Sequence, residues 1–268
     1  MRRQRILQAC LALFIGCGAL VPLPSAKAAI RTETITYRQG DAVLEGYLAY
    51  DDAVTEKRPG ILVFHTKRGI GEFIEERVRA LAALGYVAFA GDVYGKGVRP
   101  QGDEESSVES AKYKNDRPLT RARVQAAYDL LRANPHVDAD RLAVSGYCAG
   151  GMFALELARS GAPVAAVAVF HGTLTTPTPA DAKNIKGRVL VMHGADDPSA
   201  PLTEVQGLIK EMKDARVDFQ LELYGGVVHG FTEPKNGNDT SRSTAYNERA
   251  DKKSWASMQE LFRETLGR

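Results

Sequence analysis

The most informative part of this sequence is residues 145–151, which read Ser145-Gly146-Tyr147-Cys148-Ala149-Gly150-Gly151. The flanking residues predict a buried strand at residues 141–145 and a helix at residues 149–159. A strand that turns abruptly into a helix forces its central residue into strained backbone geometry, and glycines on either side prevent collisions. This pattern is typical of a nucleophile elbow, with cysteine in place of the commoner serine. We therefore predict that Cys148 is a nucleophile, with a buried structural cysteine as the alternative.

Around this segment, apolar runs alternate with helical stretches from residue 30 onward, which indicates βαβ units and a mostly parallel sheet. The sheet is predicted to open with a hairpin of residues 32–37 and 42–50. Further strands are predicted at residues 60–65, 86–90, 164–170, 189–192 and 217–224. Amphipathic helices are predicted around residues 74–81, 124–131, 203–214 and 255–262. Residues 95–118 are polar and lack a sustained apolar period, so we predict a long surface loop there.

Two turns that follow later strands offer an acid and a base. Residues 193–198 read His-Gly-Ala-Asp-Asp-Pro, and residues 225–231 read Gly-Gly-Val-Val-His-Gly-Phe. A thiol with an ordinary pKa of about 8.5 needs a base, and the base needs an acid that orients it. We predict His229 as the base and Asp197 as the acid, with Asp196 as the alternative. The order of nucleophile, acid and histidine predicts an α/β-hydrolase fold, a mostly parallel sheet of about eight strands with helices on both faces.

The other four histidines are predicted to be hydrogen-bonded structural residues; they are His65, His136, His171 and His193. The sequence contains no HxH or HExxH spacing, the arrangements in which histidines commonly bind zinc. We therefore predict neither a metal site nor a cofactor.

Residues 1–28 have the features of a signal peptide. A basic start is followed by an apolar run at residues 6–23 and a small-x-small pattern, which predicts cleavage near Ala28 or Ala29. Residues 29–268 then form a single domain. The protein is predicted to be exported, either to the periplasm or outside the cell, without stable membrane association. The alternatives are an uncleaved anchor, a lipoprotein signal modified at Cys17 and a twin-arginine signal at Arg2-Arg3.

The composition excludes several classes of protein. The chain has 268 residues, of which 44% are hydrophobic and 25% are charged, as in soluble globular proteins. Cleavage would remove 4 of the 35 basic residues, which leaves 31 against 33 acidic residues and a net charge of about −2. No basic stripe is present, so a nucleic-acid partner is not expected. Cys148 is the only cysteine after residue 28, so that part of the chain can form no internal disulfide. We predict a monomer, with a dimer as the alternative.

The sequence resembles the dienelactone hydrolase family over nearly all of its length after residue 28. Four motifs carry the resemblance: the cysteine segment, Leu-Gly-Tyr-Val-Ala at 84–88 with Asp-Val-Tyr at 92–94, the paired-aspartate turn and the histidine turn. The resemblance implies that Cys148, Asp197 and His229 form a catalytic triad. It also implies that the backbone N–H groups of Lys67 and Ala149 form the oxyanion hole.

Departures from the family pattern affect the expected substrate. The founding members have a glutamate that engages the resting thiol, and this sequence has Thr66 there. They bind the substrate carboxylate with two arginines, near whose positions this sequence has Lys96 and Glu233. A carboxylate at Glu233 would repel an anionic lactone at short range, so we do not expect dienelactone as the substrate. The candidate pocket residues are Thr66, Tyr94, Lys96, Tyr147 and Glu233.

These observations predict a hydrolase that cleaves an ester, thioester or lactone bond of a small molecule through an acyl-cysteine intermediate. The alternative is a non-catalytic protein on the same scaffold that binds a ligand or senses the redox state through its thiol.

Overall fold

The computed structural model describes residues 29–267, which contain one eight-stranded sheet. The strands are β1 (Ile30–Gln39), β2 (Ala42–Asp51), β3 (Arg58–Phe64), β4 (Val87–Gly91), β5 (Val137–Tyr147), β6 (Ala166–Phe170), β7 (Arg188–Gly194) and β8 (Phe219–Tyr224). They lie in the order β1-β2-β4-β3-β5-β6-β7-β8. The hairpin strands β1 and β2 are antiparallel, β2 also pairs antiparallel with β4, and the remaining pairs are parallel.

Within the described residues, six α-helices pack on the two faces of this sheet. They are α1 (Glu72–Ala83), α2 (Gly102–Asn115), α3 (Arg117–Arg132), α4 (Ala149–Arg159), α5 (Leu202–Asp214) and α6 (Glu248–Leu266). Side chains of α3, α4 and α5 form one hydrophobic core with the sheet, and side chains of α1 and α6 form the other. The strands β3, β4 and β6 are buried at every position, which explains their continuous apolar runs. The predicted α/β-hydrolase fold is confirmed.

The prediction of a long loop at residues 95–118 was wrong, because this segment contains α2 and the start of α3. The sequence of α2 is mostly polar, its Val108 is exposed, and only Ser106 and Tyr113 are buried, so the helix has no apolar period to detect. The Tyr113 hydroxyl donates to the carbonyl oxygen of Tyr94 at 3.0 Å and holds the end of α2 against the segment that follows β4. Asp116 then caps α3 by accepting a hydrogen bond from the Leu119 N–H at 2.9 Å.

The parallel strands end at one rim of the sheet, which is where open α/β sheets usually bind ligands. Cys148 follows β5, Asp197 follows β7, and His229 follows β8. Within residues 29–267, no helix has both the length and the apolar character needed to cross a membrane. The predicted signal peptide lies outside the described residues.

Candidate active site

The turn between β5 and α4 places Cys148 at the amino terminus of the helix. Its backbone has φ 58° and ψ −119°, a left-handed conformation that costs a non-glycine residue about 1–3 kcal/mol. The surrounding hydrogen bonds hold this conformation: the Cys148 N–H donates to Phe170 at 3.0 Å, and the Gly151 N–H donates to Cys148 at 3.0 Å. Gly146 is needed because a Cβ atom there would overlap the carbonyl group of Gly150.

The three residues predicted as a triad lie in one hydrogen-bonded row. The Nε2 atom of His229 is 3.1 Å from the sulfur of Cys148, and its Nδ1 atom is 2.8 Å from Oδ2 of Asp197. Asp197 is itself fixed, because its other oxygen accepts a hydrogen bond from the Ser199 N–H at 2.8 Å. Asp196 is exposed, and of the two aspartates it is Asp197 that contacts the histidine.

Hydrogen bonds anchor the loop that carries His229. The backbone carbonyl of His229 accepts a hydrogen bond from the Ala245 N–H at 3.1 Å. Three residues further on, the carbonyl of Thr232 accepts a hydrogen bond from Arg77 at 2.8 Å, and the Thr232 hydroxyl lies 2.8 Å from Nε2 of His171. The loop is therefore tied to α1 on one side and to the end of β6 on the other.

The electrostatic environment favours a thiolate paired with an imidazolium. Burial by itself would raise the pKa of Cys148, but the positive charge and hydrogen bond of His229 outweigh burial and lower it. Burial would likewise lower the pKa of His229, but the Cys148 charge and the hydrogen bonds to Asp197 and Cys148 raise it to about 10. The neighbouring His171 stays neutral, because burial lowers its pKa well below the ordinary value and the charges of His229 and His193 act in the same direction.

Two backbone N–H groups favour the thiolate form of Cys148. The N–H groups of Lys67 and Ala149 both donate hydrogen bonds to Cys148, and both help to lower the pKa of its thiol. Ala149 is the first residue of α4, where the helix dipole adds positive character. These are the two backbone donors that the family resemblance implies for an oxyanion hole.

A small cavity of about 40 Å³ opens onto Cys148 and His229. Of the five predicted pocket residues, Thr66 and Glu233 line it. The remaining lining residues are Lys67, Arg68, Asp103, His171, Gly230, Asn236 and Thr244. Asp103 forms ion pairs with Lys67 at 3.2 Å and with Arg68 at 3.3 Å, so charges of both signs surround the cavity.

The other three predicted pocket residues do not line this cavity. Tyr94 lies behind the loop after β3, and its hydroxyl donates to the carbonyl of Lys67 at 3.2 Å. Lys96 forms an ion pair with Glu45 on β2 at 2.8 Å. Tyr147 is fully buried in the core shared with α1 and α6, where its ring stacks on Phe170 at 4.4 Å.

Sequence reasoning did not identify several lining residues. Asp103 was missed because its helix was predicted to be a loop, and Arg68 carried no motif of its own. His171 was predicted to be a structural residue, and it does hydrogen-bond to Thr232, but its ring also lies 5.0 Å from that of His229. The position of His171 directly after a buried strand was the sequence feature that could have indicated its place at this site. Among residues 29–267, no group of three or more His, Cys, Asp or Glu side chains could hold a metal ion.

Comparisons with known proteins agree with this fold. The sequence matches the family model described as the dienelactone hydrolase family over residues 44–266. The solved structure named m3DLH is 39% identical, has a TM-score of 0.85, and the match covers 89% of this chain and 99% of that chain. The crystal structure of a dienelactone hydrolase-like promiscuous phosphotriesterase from metagenomic libraries is 36% identical, with a TM-score of 0.83 and 88% and 99% coverage.

A sequence relative comes from Bradyrhizobium sp and is named "Probable 2-oxo-3-(5-oxofuran-2-ylidene)propanoate lactonase". It is 29% identical over 217 residues, which cover 75% of this chain and 86% of the relative.

Proposed function

Because this chain belongs to the dienelactone hydrolase family of enzymes, we propose that it hydrolyses an ester, thioester or lactone of a small molecule through an acyl-cysteine intermediate. One observation carries the proposal, namely the continuous row from Asp197 through His229 to Cys148 with hydrogen-bond distances of 2.8 and 3.1 Å. A base within hydrogen-bond reach of a nucleophile, itself oriented by an acid, is the arrangement that nucleophilic catalysis requires.

In the first half of the proposed reaction, the thiolate of Cys148 attacks the carbonyl carbon. A carbon–sulfur bond forms, and the carbonyl π electrons move to the oxygen, which the N–H groups of Lys67 and Ala149 stabilise. The carbonyl then re-forms, and the bond to the leaving alkoxide or thiolate breaks as His229 donates its Nε2 proton to it. The product of this half is a thioester on Cys148.

In the second half, His229 is neutral and acts as a base. A water molecule gives its proton to Nε2 while its oxygen attacks the thioester carbon, and the same two backbone donors stabilise the oxyanion. Collapse of this intermediate breaks the carbon–sulfur bond, releases the carboxylic acid and regenerates the thiolate–imidazolium pair. Asp197 keeps the histidine in the required orientation in both halves.

Thr66 indicates how the thiol is activated without the glutamate of the founding members. The Thr66 hydroxyl accepts a hydrogen bond from the Arg68 N–H at 3.3 Å. No carboxylate at this position therefore competes with His229 for the thiol, and the sulfur of Cys148 already contacts His229. We propose that the enzyme rests as the thiolate–imidazolium pair and needs no substrate-induced rearrangement to activate the thiol.

The charges at the cavity support an uncharged substrate. Glu233 lines the cavity, and the positive charges of Lys67 and Arg68 are already paired with Asp103. An anionic substrate would meet the Glu233 carboxylate, and the two lining cations both contact Asp103. The proposed substrate class is therefore neutral short esters, thioesters and lactones.

The test is an assay of the chain from residue 29 against matched esters, thioesters, lactones and amides. A phosphotriester belongs in the panel, because one similar structure is described as a promiscuous phosphotriesterase. Acid quenching during turnover should reveal by mass spectrometry an acyl group on the peptide that contains Cys148. If nothing in the panel is cleaved and no adduct forms, a ligand-binding or redox-sensing role replaces the hydrolytic one.

We also propose that residues 1–28 direct export and are then removed, and that the remaining chain is a monomer. Sequencing the amino terminus of the protein recovered from the periplasm or the medium tests the first part, with cleavage near Ala28 or Ala29 as the expected result. Light scattering of the purified protein tests the second part.

A further inference from the structure

His65 lies directly after β3 and is completely buried, so it cannot contact a substrate. Its Nε2 atom accepts a hydrogen bond from the Val93 N–H at 3.2 Å. A backbone N–H can only donate, so Nε2 carries no proton, and the single proton of the neutral ring lies on Nδ1. Burial, which lowers the pKa of His65, keeps the ring neutral.

The protonated Nδ1 atom of His65 lies 2.8 Å from the carbonyl oxygen of Thr66 and donates to it. The same oxygen accepts a second hydrogen bond from the Gly69 N–H at 3.1 Å. This carbonyl is one half of the peptide unit between Thr66 and Lys67. The other half is the Lys67 N–H, whose hydrogen bond helps to lower the pKa of the Cys148 thiol, and Lys67 and Cys148 line the same cavity.

A trans peptide unit is planar, so its C=O and N–H groups point in opposite directions and rotate together. We infer that His65 is a positioning residue of the active site, which aims the Lys67 N–H at the reacting atoms by holding the Thr66 carbonyl on the far side of the same peptide. Tyr94 fixes the next peptide in a similar way, because its hydroxyl donates to the Lys67 carbonyl at 3.2 Å. The expected effect of His65 on turnover rests on the proposed hydrolytic function. Its expected effect on the pKa of the Cys148 thiol does not.

Two amide variants separate the two hydrogen bonds of His65. In His65→Asn, the amide nitrogen takes the place of Nδ1 and can still donate to the Thr66 carbonyl. In His65→Gln, the amide oxygen takes the place of Nε2 and can still accept from the Val93 N–H, but no donor remains for Thr66. Each variant therefore keeps one hydrogen bond and loses the other. Both variants place a buried amide at this position, so they are matched in that respect.

Three measurements on the chain from residue 29 test the inference: ester turnover, the pH dependence of iodoacetamide alkylation of Cys148, and the melting temperature. Removal of one oxyanion donor typically lowers kcat by about 10²–10³-fold. A misdirected donor should cost less, so we expect His65→Gln to lower kcat by about 10–100-fold with little change in KM. We expect the pKa of Cys148 in this variant to rise, because the Lys67 N–H stabilises the thiolate. His65→Asn should keep kcat within about threefold of the wild type and leave the thiol pKa unchanged.

The inference would be overturned if the two variants lost kcat equally, in proportion to their loss of melting temperature, and if the pKa of Cys148 stayed unchanged in both. If the wild-type protein hydrolyses no substrate, the alkylation profile still tests the inference separately from the proposed function, because it requires only the thiolate. Nitrogen NMR of histidine-labelled wild-type protein needs no variant. Detection of the His65 proton on Nε2 instead of Nδ1 would also overturn the inference.

Discussion

A Cβ atom on Gly146 would overlap the backbone carbonyl of Gly150, the second residue of α4. A backbone atom cannot move aside as the end of a flexible side chain can, so the turn tolerates no side chain at this position. Gly146→Ala should therefore lower the free energy of unfolding by about 3 kcal/mol, at the upper end of the usual cost of overpacking.

A second glycine provides a matched control for this change. A Cβ atom on Gly207, inside α5, would have no neighbour within 4 Å. Gly207→Ala should raise the free energy of unfolding by about 0.5–1 kcal/mol, because alanine favours a helix over the unfolded chain. Urea denaturation of both variants measures the difference. Equal stabilities would show that the tight geometry at Gly146 can relax.

Cys148 is expected to be essential for turnover and dispensable for folding. Cys148→Ala should lower kcat for an activated ester by about 10³-fold or more, because the bond-forming atom is removed. The melting temperature should change little, since the hydrogen bonds that fix the turn come from the backbone. Thermal unfolding and ester hydrolysis are measured on the same preparation, with alkylation to confirm that the thiol is absent. Full turnover in this variant would exclude Cys148 as the nucleophile.

The sequence predicted the elbow and the three aligned side chains because each follows from local chemistry. Glycines around a cysteine between a strand and a helix indicate the turn, and acids or histidines after parallel strands share a rim. Asp196 and Asp197 are adjacent in one turn, and the sequence alone does not show which of them faces His229. Only the folded turn distinguishes them, because it buries one carboxylate and exposes the other.

Other features depend on contacts between distant parts of the chain and left no local pattern. Helix α2 has only two buried residues, Ser106 and Tyr113, so its sequence carries no apolar stripe. Lys96 was expected near the substrate, but Glu45, which lies far away in the sequence, binds its side chain. Tyr147 precedes the nucleophile, yet the alternation of side chains along β5 directs it into the core beside α1.

Asp197 and Asp196 offer a direct test of the acid. Asp197→Asn should lower kcat by about 10²–10⁴-fold, because an amide cannot hold the histidine in the protonation state that a carboxylate stabilises. Asp196→Asn should leave kcat within about twofold, because this side chain is exposed. Steady-state kinetics on one ester compares the two variants. A larger loss of kcat in the Asp196 variant would show that Asp196, and not Asp197, is the acid.

The thiol should be reactive below the pH at which a free cysteine ionises. His229 lowers the pKa of Cys148, and its own pKa is raised to about 10, so the thiolate–imidazolium pair forms at a lower pH than an ordinary thiol ionises and persists up to about pH 10. Alkylation by iodoacetamide should accordingly lack the step at about pH 8.5 where an ordinary thiol titrates.

Removing the histidine should reverse the direction of this shift. In His229→Gln, burial of the thiol is no longer opposed by a positive charge, so the pKa of Cys148 should rise above its ordinary value. The alkylation rate at pH 7 should then fall by about tenfold or more, and the step should reappear at alkaline pH. An unchanged profile would show that the backbone donors alone determine the charge of the sulfur.

Glu233 should determine the preference for substrate charge. It lines the cavity at Cys148, so Glu233→Arg replaces a repulsive charge with an attractive one for an anionic lactone. Screening over about 8–10 Å at physiological salt limits the effect, so we expect kcat/KM for an anionic lactone relative to a matched neutral lactone to rise by about 3–30-fold. The rise should shrink as salt is added. Asp140→Arg is the control, because this exposed residue lies near the opposite end of β5 from Cys148. If both variants shift the ratio equally, net charge and not the position of Glu233 governs selectivity.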